Sequence, residues 1–170
     1  NLTVNRALHS PNTAVVDPHL ILEKIYSELK KSGVTILFNE KVVLANPDLS
    51  TIETNNGNIF KYGHLINCTG QYSDVVSKIF NVGCKYTLLP FKGVYYGLNK
   101  DSDIKINGLI YPVPDLNVPF LGIHSVKLIN EDIYFGPTAT PAFGRENYYG
   151  IKGVNIKDAS SISYHLLRQY

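Results

Sequence analysis

The chain has 170 residues, 44% of them hydrophobic, with sixteen basic against fourteen acidic residues and a net charge of +2. That balance suits a globular protein with a core of its own, and with no basic block or stripe it argues against a nucleic-acid partner. Cys68 and Cys84 cannot make a disulfide framework and match no zinc spacing, which points to a reducing compartment and no metal, and no apolar run approaches the roughly 18 residues of a membrane span.

In chain order, Asp17-Pro18 precede a run with Leu22, Ile25 and Leu29 on one stripe, which predicts a helix over Pro18–Lys31. Asp17 can accept from the unpaired N–H groups of the first turn, Pro18 has no donor to leave unpaired there, and Gly33 supplies a left-handed stop. Short β-rich runs follow at 34–38 and 41–45, and two more, Thr51–Thr54 and 58–62, flank Asn55-Asn56-Gly57, a hairpin turn that favours positive φ. A compact strand at 64–68 stops at Thr69-Gly70, after which Ser73 opens a helix carrying Val75, Val76 and Ile79 toward a core. From about Tyr86 the pattern becomes β-branched and aromatic runs separated by turn residues, and helical period returns only at 159–167. Pro112-Val113-Pro114-Asp115-Leu116-Asn117 is a turn cluster joining two of these strands. The fold class is therefore α+β, with an antiparallel or mixed sheet in the second half.

Three places can carry chemistry. Ile66-Asn67-Cys68-Thr69-Gly70 is a strand ending in small residues, either a plain strand-to-helix turn or a place where backbone approaches a ligand closely. Asn67-Cys68-Thr69 fits the glycosylation sequon by letter, but at the end of an apolar strand rather than in an exposed loop. In Phe120-Leu121-Gly122-Ile123-His124-Ser125-Val126, alternation puts Leu121 and Ile123 on one face and Phe120, Gly122 and His124 on the other, with Gly122 leaving open space beside the imidazole. His124 is then either a histidine hydrogen-bonded under a neighbouring strand or an acid/base group facing a ligand.

The third place is Pro90-Phe91-Lys92-Gly93-Val94-Tyr95-Tyr96, where Lys92, Val94 and Tyr96 share one face and Phe91, Gly93 and Tyr95 the other. Lys92 either snorkels to solvent or binds an anionic group as a point charge with three donors. Tyr111 and Arg145 are weaker candidates of the same kind. There is no nucleophile elbow, no Cys/His framework, no Gly-x-Gly-x-x-Gly fingerprint and no Walker loop, so neither nucleophilic catalysis nor a nucleotide phosphate site is expected within the chain.

Taken together, Leu89-Pro90-Phe91-Lys92-Gly93-Val94-Tyr95-Tyr96, Gly108-Leu109-Ile110-Tyr111-Pro112-Val113-Pro114, Pro119-Phe120-Leu121-Gly122-Ile123-His124 and Gly136-Pro137-Thr138-Ala139 with Arg145-Glu146 follow one another as they do in the L-2-hydroxyglutarate oxidases and dehydrogenases. The chain resembles that group of the FAD-dependent D-amino-acid-oxidase superfamily over about residues 7–150. Ala7-Leu8-His9-Ser10-Pro11, Val16-Asp17, Glu40-Lys41-Val42 and Asn67-Cys68-Thr69-Gly70 agree more loosely with the superfamily's middle segment. The family's N-terminal fingerprint and C-terminal glycine-rich loop are absent, Lys92 stands where arginine is more usual, and Thr69 where alanine is common. With a first residue of Asn1 and no methionine, the chain reads as an internal piece of a longer protein, expected to bind FAD weakly if at all and to show no turnover by itself.

The resemblance implies residues 1–83 as a partial FAD-binding region and 84–170 as a substrate-binding sheet domain. It implies an enzyme that oxidises the C2 alcohol of a 2-hydroxy acid, with FAD as cofactor and an unidentified electron acceptor. His124 would be the catalytic base, Lys92, Tyr95, Tyr111 and Arg145 substrate contacts, and Val42, Thr69 and Gly70 flavin contacts. Location in the cytoplasm or at the inner face of a membrane would follow, without an integral membrane segment. An apolar patch left exposed would favour self-association of the piece. The rival readings are a flavin oxidoreductase for an amino acid or glycerol 3-phosphate, and a non-catalytic module that kept the sheet alone.

Overall fold

The structure, a computed structural model, describes residues 7–117, 120 and 122–168; Pro119 and Leu121 of the His124 motif lie outside the described residues. In chain order the elements are α1 (Pro18–Lys31), β1 (Val42–Asn46), β2 (Thr51–Thr54), β3 (Ile59–Lys61), a 3₁₀ turn (Gly70–Tyr72), α2 (Ser73–Ile79), β4 (Phe91–Lys92), β5 (Tyr96–Gly97), β6 (His124–Lys127), β7 (Ile133–Gly136), β8 (Thr140–Pro141) and α3 (Ile156–Leu167). Strand pairing among the described residues is antiparallel throughout, in three small sheets ordered β1-β2-β3, β4-β8 and β5-β7-β6.

α1 forms where its local signals put it. Asp17 Oδ1 accepts from the His19 N–H at 2.8 Å, Pro18 takes the first helical position, and Gly33 follows at φ +77°. Such an N-cap contributes about 1 kcal/mol. The stripe of Leu22, Ile25 and Leu29 is exposed and no residue of α1 is buried. The meander β1-β2-β3 is equally local: the Gly57 N–H reaches the Thr54 carbonyl at 2.9 Å, and Gly57 alone in that turn takes positive φ, at +76°.

Two expected strands do not form. Segments 34–38 and 64–68 are irregular. A strand exists only by pairing, and among the described residues neither segment has a ladder partner. The Val34 N–H instead returns to the Leu29 carbonyl at 3.0 Å, and Asn67 Nδ2 donates to the Ser73 carbonyl at 2.9 Å and Ser77 Oγ at 3.1 Å. On α2 the buried residue is Asp74, while Val75 faces solvent. The apolar period there identified the helix but not its inner face.

Backbone contacts divide the chain into two compact units, each discontinuous in sequence: residues 1–35 with 95–137, and residues 36–94 with 138–170. This describes where contacts are dense, whereas the division expected from the sequence, at 83/84, is one of expected role. The first unit holds α1 and the β5-β7-β6 sheet, in which Ser125 also bridges Ile110, with bonds of 3.0 and 3.2 Å. The second holds β1-β2-β3, α2, β4-β8 and α3. Among the described residues the buried apolar side chains are Ala142 and Ile162, and the buried polar ones are Thr54, Asp74, His124, Ser125 and Asn147. Among the described residues enclosure is therefore concentrated on polar groups, and two of their side-chain oxygens, Thr54 Oγ1 and Ser125 Oγ, are enclosed there without a hydrogen-bond partner.

Candidate active site

In the first unit, β6 begins only at His124, so the alternation expected from Phe120 onward does not run through Gly122. His124 and Ser125 are both buried although successive strand residues face opposite ways, so both sides of β6 are covered at this point. Tyr111 lies over the imidazole, 4.6 Å between centroids at 32°, and Tyr95 meets it edge-on at 6.1 Å and 78°. The open space expected beside Gly122 is filled: a Cβ there would stand 2.6 Å from Pro112 Cγ, because the proline-rich turn folds back against it.

His124 Nδ1 is 3.0 Å from the Gly122 carbonyl oxygen. A carbonyl only accepts, so Nδ1 carries the hydrogen and donates, which leaves the lone pair of the neutral ring on Nε2. No described residue hydrogen-bonds Nε2. The sequence motif therefore delivers a histidine in a defined tautomer, held under one tyrosine and beside another.

In the second unit, Lys92 sits on β4 opposite Thr140, half-buried, with Nζ donating to Asn147 Oδ1 at 3.2 Å. Asn147 is 4% exposed; its Nδ2 donates to the Gly150 and Lys152 carbonyls at 2.8 and 2.9 Å, and its Oδ1 also accepts from the Phe143 N–H at 3.4 Å. Sequence reasoning missed this asparagine. The available signal was its place in a loop studded with Gly144, Gly150 and Gly153. Because β4 stops at Lys92 and β5 starts at Tyr96, the alternation expected across residues 91–96 is broken.

Arg145, expected to meet substrate, is paired with Asp74. Nη2 donates to Oδ2 at 2.9 Å, Nη1 stands 2.8 Å from Oδ1 as a charge contact, and Nη1 donates to the Gln71 carbonyl. Both side chains are enclosed, at 11% and 6% exposure. Burial would push the Asp74 carboxyl up, but the Arg145 hydrogen bond, the Leu88 N–H and the charges of Arg145 and Lys78 outweigh it and hold the group below its ordinary range. Asp74 carries no signal in the sequence beyond its place in the first turn of a helix.

Val42, Thr69 and Gly70 also belong to the second unit, where α2, which starts just after the Thr69-Gly70 turn, packs against β1. Asn67 Oδ1 accepts from both the Thr69 N–H (3.2 Å) and its hydroxyl (2.6 Å), so the polar groups of Thr69 face inward to its own turn. Gly70 has φ +55° and no heavy atom within 4 Å of the place a Cβ would occupy. That side of the turn is bare backbone beside open space, in a conformation that side-chain-bearing residues resist. Cys68 and Cys84 are free and exposed, no His/Cys/Asp/Glu cluster suited to a metal occurs among the described residues, and no described helix is long and apolar enough to cross a membrane.

A family model described as FAD dependent oxidoreductase matches residues 2–167. An L-2-hydroxyglutarate dehydrogenase of Indibacter alkaliphilus is 37% identical over 145 residues, covering 84% of this chain and 36% of that protein. The L-2-hydroxyglutarate dehydrogenase of Escherichia coli K12 is 29% identical over 87% of this chain and 36% of its own length. The human mitochondrial L-2-hydroxyglutarate dehydrogenase is 29% identical over 84% of this chain and 34% of its own length. The chain thus spans about a third of the curated relatives it matches. With nearly every residue inside one family model, and with relatives of one name on either side of the bacterial and animal divide, the chain belongs to the FAD-dependent oxidoreductase family and resembles its L-2-hydroxyglutarate dehydrogenases.

Proposed function

We propose that this protein oxidises the C2 alcohol of L-2-hydroxyglutarate to the ketone of 2-oxoglutarate, with residues 1–83 contributing to the flavin side and 84–170 to the substrate side. Bound FAD supplies the acceptor for the hydride that leaves C2. The proton of the C2 hydroxyl goes to His124 Nε2, and the C–O bond becomes a carbonyl. The observation that carries this reading is the bond from Nδ1–H to the Gly122 carbonyl, which fixes the tautomer with its lone pair at Nε2.

Tyr111 and Tyr95, against the ring of His124, orient that base and offer hydroxyls to the same substrate. Lys92, with Asn147 steadying one of its three donors, is the proposed contact for a carboxylate. Arg145 is left out of substrate binding because its guanidinium is already engaged by Asp74. Val42, Thr69 and Gly70 are the proposed flavin contacts, Gly70 through bare backbone. The exposed α1 stripe favours self-association of the 170-residue chain.

The test uses the whole flavoprotein under anaerobic conditions, mixed separately with L-2-hydroxyglutarate, a panel of 2-amino acids and glycerol 3-phosphate. Bleaching of the flavin by 2-hydroxyglutarate supports the proposal. Bleaching by an amino acid or glycerol 3-phosphate alone rejects the substrate, and failure of the whole protein to take up flavin rejects the enzyme reading in favour of a non-catalytic module.

A further inference from the structure

We propose that Arg145 and Glu146 form a latch that positions the Thr69-Gly70 turn, which makes Arg145 a positioning residue for cofactor binding. The inference rests on the reading above that this turn meets the flavin.

Adjacent in sequence and opposite in charge, the two side chains reach across more than 70 positions to a single segment. Arg145 holds the Gln71 carbonyl and the Asp74 carboxylate. Glu146 Oε1 accepts from Gln71 Nε2 at 2.8 Å and from the Tyr72 hydroxyl at 2.9 Å, and the guanidinium lies 5.7 Å from the centre of the Tyr72 ring. Residues 71, 72 and 74 are each tied to this dipeptide. Asn67 grips the other end of the segment through the Thr69 N–H and hydroxyl and the Ser73 carbonyl. Gly70 stands between the two sets of ties, with clear space on its bare side.

A buried Arg–Asp pair is weak evidence for added stability, because desolvation offsets much of the attraction. Its planar fork does fix direction, which a lysine's point charge cannot do. The arrangement therefore reads as orientation of the turn, obtained from a strand-loop region far away in sequence. The hydroxyl of Tyr72, held as a donor to Glu146 in partial burial, is kept neutral: burial first, then the Glu146 hydrogen bond and charge, push its pKa up.

The experiment uses the whole flavoprotein stripped of flavin and titrated with FAD, alongside amide hydrogen exchange over residues 69–77. Arg145→Lys keeps the charge but loses the fork, and Glu146→Gln changes an exposed side chain and leaves folding secure. Loss of a charged hydrogen bond on the turn weakens FAD binding about tenfold in Arg145→Lys and roughly threefold in Glu146→Gln. Both variants exchange faster across 70–74, and KM for substrate at saturating FAD stays unchanged. Wild-type exchange and FAD affinity in both variants overturn the proposal; so does faster exchange with unchanged affinity. Gly70→Ala separates the two layers. If it too leaves FAD affinity unchanged, the flavin-facing reading of the turn fails; if it weakens FAD while the latch variants do not, the latch alone fails.

Discussion

Replacing His124 by asparagine tests the two ring nitrogens separately. The amide nitrogen of Asn reaches about where Nδ1 stands, so the donation to the Gly122 carbonyl, 3.0 Å in the native protein, can persist while nothing remains at the position of Nε2. His124→Gln does the reverse, placing a polar atom near Nε2 without a usable base. A positioned general base contributes about 100- to 10,000-fold, equivalent to roughly 3 to 5 kcal/mol on the barrier at 1.36 kcal/mol per decade. The structural cost is smaller and separable: loss of the ring stacked at 4.6 Å on Tyr111 removes an aromatic pair worth about 1 kcal/mol of stability. Flavin reduction by L-2-hydroxyglutarate, followed by stopped flow in the whole protein with a denaturation midpoint measured beside it, reads both effects. The expected result is a fall of at least about 100-fold in both variants with a small loss of stability. Reduction by His124→Asn within about threefold of wild type, well under 1 kcal/mol, would refute the assignment of Nε2 as base.

Lys92→Met removes the proposed carboxylate contact and is expected to raise KM for 2-hydroxyglutarate by about tenfold or more with little change in kcat, the pattern of lost uniform binding; an unchanged KM in steady-state assays returns Lys92 to a purely structural role. Asn147→Ala removes a buried side chain that donates to the Gly150 and Lys152 carbonyls and accepts from Lys92 and the Phe143 N–H, and is expected to cost about 2 kcal/mol in urea unfolding, and a loss under 0.5 kcal/mol would mean the loop is held by other contacts. Asp74→Asn is expected to lose about 3 kcal/mol near neutral pH by leaving Arg145 buried without its counter-charge. Since the folded pKa of Asp74 lies below its unfolded value, the pairing contributes in full above about pH 4 and is lost as pH falls through the folded value. The stability gap between wild type and Asp74→Asn should therefore shrink in acid, and a gap of equal size at neutral pH and at about pH 2 would rule out this linkage.

What could be read from the sequence was whatever is decided locally. α1 is bounded by a cap, a proline and a left-handed stop that all lie within three residues of its ends, and the β2-β3 turn is dictated by Gly57. Segments 34–38 and 64–68 have the composition of strands, yet composition supplies no partner, and the backbone went elsewhere. His124 was legible as a candidate because histidine titrates near neutrality, whereas its tautomer was not, since that depends on a carbonyl turned toward it by an irregular stretch at Gly122. Lys92 was found by its charge among aromatics, and its holder Asn147 was not, being 55 residues away. Arg145 was named as a candidate, but its partner Asp74 escaped for the same reason. Their pairing spans 71 residues, and neither periodicity nor turn chemistry reports on such a distance.

The pairing of β4 with β8 joins Lys92 to Thr140 across most of the second half of the chain. During synthesis the β1-β2-β3 meander can close as soon as its own residues leave the ribosome, because its loops are short and cost little entropy to shut. β4 has no such option. Its edge stays open while nearly fifty further residues are made, and until β8 arrives the neighbouring lysine has no fixed direction. The region proposed to grip the substrate is thus assembled late, and a chaperone that shields an unpaired edge during that interval would act where the nascent chain is most prone to pair with the wrong strand.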